Sequence, residues 1–181
     1  MTDTAQRSAQ IGTFSSLGAL TVTQELSGRI RQFYPDFDEE LVAEETLCFV
    51  ASVSAFSIRS SADNAIGTGA ASALDDLPYT YRDYVLGQLI LADSSSVSDG
   101  LSGEIGSRLG RKLNFYHSQL SAGLRPNVET GLSSLAVLWM GRISQPGRPE
   151  SPDERVKQLE VVDILLRHMT LLTSFASHAS A

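Results

Sequence analysis

Val97, Leu101, Ile105, Leu109 and Leu113 follow one another at intervals of four residues, and Tyr116 and Leu120 continue the row. At 3.6 residues per turn the row stays on one face of an α-helix, while the odd step from Leu113 to Tyr116 breaks the period of a strand. The row predicts a helix over about Ser98 to Ala122, or two shorter helices with a joint near Gly110. Gly100, Gly103, Gly106 and Gly110 weaken it by roughly 0.5–1 kcal/mol each relative to alanine. Their three- and four-residue spacing also admits close approach by another helix or a flat ligand. Elsewhere there is no sustained alternation of period two and no Asn-Gly hairpin signal. The expected fold class is therefore all-α, with five to seven helices.

The remaining elements follow from breakers and caps. Met1 to Ser16 is polar and rich in small residues and reads as a flexible N-terminal arm (1–16), followed by a single all-α domain (17–181). Thr21 or Thr23 caps a helix to Phe33, and Pro35 ends it. Asp36 followed by Glu39 has the form of a capping box. The helix it opens, Phe37 to Ser60, turns apolar nearly all round from Leu47 to Ile58, as expected of a central helix crossed by neighbours. Glu39, Glu40, Glu44 and Glu45 read as its solvated face. Ala62 to Asp76 reads as a loop. Its Gly67-Thr68-Gly69 has neither the preceding strand nor the Gly-Lys-Ser/Thr ending of a phosphate loop. Pro78 suits the first turn of a helix to Ala92, with Asp75 or Asp76 as cap. Asp93 to Ser96 breaks that helix. Gly123, Arg125 and Pro126 end the glycine-bearing one. Asn127 caps the run Val128 to Ile143, and 145–152 is a loop. Ser151 or Asp153 caps the last helix, with Glu154 in its first turn.

Composition removes several function classes. Hydrophobic residues make up 42% of the chain and charged ones 19%, enough apolar content for a packed core. The net charge is −7 and no Lys/Arg cluster stands out, which argues against a nucleic-acid partner. Cys48 is the one cysteine, so no internal disulfide forms, and its apolar setting favours an inert thiol. No secretory signal is visible, and no apolar run approaches the ~20 residues of a membrane span. The expected location is cytoplasmic. There is no Gly-x-Ser-x-Gly elbow and no Glu-x-x-His pair of a di-iron bundle, so no enzyme signature emerges.

His117 shares a helix face with Leu113, Leu120 and Leu124. Two readings fit: a partly buried histidine with one hydrogen-bonded nitrogen, or an axial metal ligand. Leu113-x-x-x-His117, Pro126 nine residues on, and Leu132-Ser133 entering an apolar helix resemble the proximal-histidine region of globins. Arg82-Asp83-x-x-Leu86 and Ala92-Asp93-Ser94-Ser95 look somewhat like segments of the phycobiliproteins, which share the globin fold. The resemblance implies a globin-like domain binding haem, or alternatively a linear tetrapyrrole (bilin), without covalent attachment, since the bilin-bearing cysteine is absent. It implies His117 as axial ligand and metal site, Leu113 and Leu120 against the macrocycle, and Tyr84 and Gln88 on the distal side. His168 is an alternative ligand, and His178 reads as solvated. The competing expectation is a cofactor-free helical adaptor or regulatory protein acting through protein contacts, as a homo-oligomer or with a partner protein.

Overall fold

The structure is a computed structural model that describes residues 3–34, 36–62, 64–92, 99–123, 129–143 and 153–180. They form six helices: α1 (Asp3–Phe33), α2 (Glu39–Ser61), α3 (Asn64–Ala92), α4 (Asp99–Ser121), α5 (Glu129–Ile143) and α6 (Glu154–Ser180). No strand occurs among the described residues. The all-α expectation holds. The expected break at 93–96, the Asn127 cap and the loop 145–152 lie outside the described residues.

Helix α2 packs against all of the other helices. Its sequence explains this. Every residue from Glu44 to Ala55 is buried, and the interleaved Ala51, Ser52, Ser54 and Ala55 are small enough for neighbours to approach on every side. By length and composition α2 is apolar enough to cross a membrane, which the sequence reading had denied for any stretch; 83% of that apolar window is buried within the fold. Its N-cap is Asp38, whose side chain accepts from the Leu41 N–H at 2.9 Å, and not the Asp36 of the expected capping box. At the centre Phe49 of α2 stacks on Trp139 of α5, with ring centroids 5.5 Å apart, and tilts against Tyr116 of α4.

Two expectations are corrected. The segment from Asp3 to Ser16 is no arm but the first half of α1. Ile11, Ser15, Ala19, Val22, Leu26 and Ile30 make one buried stripe at helical spacing. Here small residues replace large ones: a Cβ on Gly12 would sit 3.1 Å from the Ala73 Cβ of α3. Phe14 stacks on Phe175 of α6 at 4.0 Å. Likewise 64–76 is the first half of α3 and not a loop. Ile66, Ala70, Ala71, Leu74 and Leu77 are its buried face. Pro78 lies inside this helix, not in its first turn. The helix continues through it although proline removes one ladder hydrogen bond.

Helix α4 is continuous through Gly110, which settles the choice between one helix and two. It ends as expected: Gly123 takes φ +115°, the left-handed conformation that closes a helix.

Candidate functional site

The residues expected to hold a tetrapyrrole are dispersed. Leu113 and Leu120 are core residues of α4. Tyr84 and Gln88 lie exposed on α3, Tyr84 at 63%. His117 Nε2 faces Oδ1 of Asp75 on α3 at 3.3 Å, with its side chain 34% exposed. The alignment falls short of a hydrogen bond, and both atoms are buried without one. Arg59 of α2 holds the other Asp75 oxygen. Burial pushes the Asp75 carboxyl up, but His117 and Arg59 outweigh it and hold the group below the usual carboxylate range. Nε2 therefore already has a carboxylate oxygen beside it. Tyr84 stands nine residues beyond Asp75, about 13 Å further along α3. Among the described residues no group of three or more His, Cys, Asp or Glu side chains is placed to hold a metal ion.

The alternative ligand, His168, is buried in the core, where Nε2 lies 2.9 Å from Ser54 Oγ of α2. Burial drives its pKa down to about 4. Exposed His178 accords with its expected place at the surface, its Nδ1 2.7 Å from the Ser174 carbonyl. Cys48 is a buried thiol raised to about 12 by burial, with Lys112, Glu45 and Glu44 as lesser influences. That leaves it inert as a nucleophile.

The strongest polar feature lies where the sequence reading placed a solvated face. Glu44 and Glu45 are buried, not solvated. Arg108, Lys112 and Tyr116 stand one turn apart on α4 and all reach α2. Arg108 Nε and Nη2 donate to Glu44 at 2.8 and 2.6 Å, and Lys112 Nζ donates to Glu44 at 2.7 Å. Tyr116 donates to Glu45 at 2.7 Å. Arg142 of α5 pairs with Glu45 and lies over the Phe115 ring at 4.3 Å. Glu40 also pairs with Arg108. Burial alone would raise the Glu44 pKa; Arg108 and Lys112 reverse this and hold it below the ordinary value. Burial, then Glu45, pushes the Tyr116 hydroxyl up, so it stays a donor. Three carboxylates meet three cations, and the network is neutral. The signal for it was in α4: two basic residues four apart beside an otherwise apolar stripe, matching Glu40 and Glu44 four apart on α2.

A groove of about 420 Å³ opens beside this network, between α2, α3 and α4. Ala43, Val85, Leu101, Ile105 and Leu109 give it apolar walls; Glu40, Glu44, Tyr81 and Arg82 supply its polar groups. Two glycines shape the α3–α4 seam next to it. A Cβ on Gly106 would come within 2.8 Å of Arg82 Nη1, and one on Gly110 within 3.2 Å of the Tyr79 hydroxyl. The glycine notch expected in this helix thus receives side chains of α3. None of the five residues expected to hold a tetrapyrrole lines this groove.

Compared with protein-family models, with curated proteins and with solved structures, the chain matches none.

Proposed function

We propose that this chain is a non-enzymatic helical binding protein whose α2–α3–α4 groove takes a small, largely apolar molecule. The groove itself carries this reading: about 420 Å³ of space with predominantly apolar walls and a few polar groups at one side. Small-molecule sites have this size and composition. The neutral network behind it fixes α2 against α4, so the walls are held before any ligand arrives. Titration with an environment-sensitive dye such as 8-anilinonaphthalene-1-sulfonate tests the reading. One saturable site is expected, lost when Ile105→Trp fills the groove while the circular dichroism spectrum stays helical. Dye binding indifferent to Ile105→Trp would sink it.

A second reading, contact with another protein chain, rests on the α1/α6 seam. Phe14, Leu17 and Leu171 are exposed there. Leu171 stands one turn from both Phe175, which stacks on Phe14, and Arg167, which pairs with Glu25. This places Leu171 on the same rim as Leu17. Sedimentation of the wild type and of Leu17→Glu tests it: association lost in the variant supports the reading, and a monomeric wild type removes self-association.

A further inference from the structure

We infer that the ligand of this groove is a small organic monocarboxylate, its carboxylate held by Arg82 and its apolar body lying along α4. The inference rests on the groove reading and adds the chemical class.

Charge decides between anion and cation. On the acidic side the carboxylates already face cations of the chain. Buried Glu44 accepts from both Arg108 and Lys112, and Glu40, 70% exposed, pairs with Arg108. A ligand ammonium would compete with those internal cations. Arg82 is different. Its Nε and Nη2 both engage one oxygen of Asp83, the next residue in sequence, at 2.8 and 2.6 Å. The Asp83 side chain is 63% exposed, and an exposed ion pair of this kind is weak. Nη1 is turned toward Gly106 of α4. A planar guanidinium with a spare edge and a displaceable partner is suited to a carboxylate, which it grips through two parallel N–H donors.

The guanidinium is also set in place beforehand. It lies over the Tyr79 ring, 5.7 Å from the centroid. Glycine at 106 leaves room for it in this position, since a Cβ would meet Nη1 at 2.8 Å and the guanidinium would have to shift. A guanidinium already seated at the groove loses less freedom on binding, once its exposed Asp83 partner is displaced. Beyond it, Leu101, Ile105 and Leu109 present an apolar wall about 12 Å long at 1.5 Å per residue, with Val85 and Ala43 opposite. At about 420 Å³ the groove is near the lower end of ligand-site volumes, so the body is a medium-length chain or a single ring system.

Calorimetric titration of the full chain with decanoate, decanol and decylamine, each below its aggregation threshold, tests this. Decanoate is expected to bind at one site, about tenfold or more tighter than decanol, with decylamine weakest; a hydrogen bond to a charged group is worth a factor of this size. Arg82→Gln should bring decanoate down to the level of decanol and leave decanol unchanged, and Gly106→Ala, which shifts the guanidinium without removing it, should weaken decanoate by a smaller factor. If decanoate and decanol bind alike and Arg82→Gln changes nothing, the head-group assignment fails while the groove stands. Tightest binding by decylamine also overturns the assignment. If none of the three binds, the groove reading falls with it. The comparison of three ligands on the wild type needs no variant to fold.

Discussion

The fold buries ionisable side chains in two places and by opposite means. Between α2, α4 and α5, three carboxylates and three cations stay close enough to neutralise one another, and the two buried ones, Glu44 and Glu45, each keep several donors. Between α2 and α6, His168 is buried beside one hydroxyl, Ser54, with no countercharge against it among the described residues. Burial acts alone there, and it holds the imidazole pKa at about 4. The contrast separates two rules. A charge is retained in a core when it is matched by opposite charge and hydrogen bonds. A titratable group without a match is retained in its neutral form, and its dependence on pH is the residue of that choice.

The network should break hardest. Glu45→Ala leaves Arg142, Tyr116 and Lys112 facing a void, and removing one partner of a buried pair costs about 3–5 kcal/mol. Urea unfolding at pH 7 should show a loss of that size. A loss under about 1 kcal/mol would mean that water already reaches these groups.

The histidine should respond to acid instead. Its folded pKa of about 4 lies below the ordinary 6.5, so the unfolded chain takes up the proton first. Its contribution is therefore full above pH 6.5, is lost as the pH falls toward 4, and changes no further below that. At 1.36 kcal/mol per unit the whole window is worth about 3 kcal/mol. Urea midpoints at several pH values should fall across this window in the wild type and fall less in His168→Phe, which keeps only the carboxylate losses at its acid end. Equal slopes in the two proteins would show that the histidine is not the cause.

Ser54→Ala removes the hydroxyl from that pair. A single neutral hydrogen bond contributes about 1 kcal/mol, far less than the loss expected for Glu45→Ala. Thermal unfolding of the two variants side by side measures the difference between a partner in a network and a partner of one. Comparable losses would erase the distinction drawn here.

The smallest effect is expected at His117. Its contact with Asp75 is partly exposed on both sides, and screened pairs contribute about 1 kcal/mol or less. His117→Ala should therefore remain folded with nearly unchanged stability. Haem added to wild type and variant should give the same absorption spectrum. A Soret band that appears only with His117 present would restore the axial-ligand assignment.

The helices that could be read from sequence are those whose burial depends on large apolar side chains. The stepped row of α4 and the run of α5 were placed within a residue or two, and the start of α6 fell at its expected cap. The first halves of α1 and α3 were missed because they pack through Gly12, Ala70, Ala71 and Ala73, where contact comes from smallness. Hydrophobic periodicity carries little of that signal. Pro78 added a false boundary, since a proline can sit inside a helix whose neighbours hold it. The candidate site was less legible than the fold. Acidic residues in a sequence read as solvated until their partners are known, and the partners of Glu44 and Glu45 come from α4 and α5, more than 60 residues away in the chain. The Gly106 notch was visible as a pattern, but its occupant, Arg82, required the packing of α3 on α4.

The central position of α2 has a consequence for how the chain is made. Its partners α4, α5 and α6 are all synthesised after it. From Ser61 to Ser180 the ribosome adds roughly 120 residues, which at 5–20 residues per second takes roughly 6–24 s. When Ser61 is added only α1 precedes α2, and α3, α4, α5 and α6 join it in turn as they are made. Helix α6 is one of those that closes over α2, so the cover of this membrane-like segment is incomplete until residues 154–180 are made. Transiently exposed apolar surface of this kind is what chaperones exist to shield, and in the folded chain 83% of the window is buried.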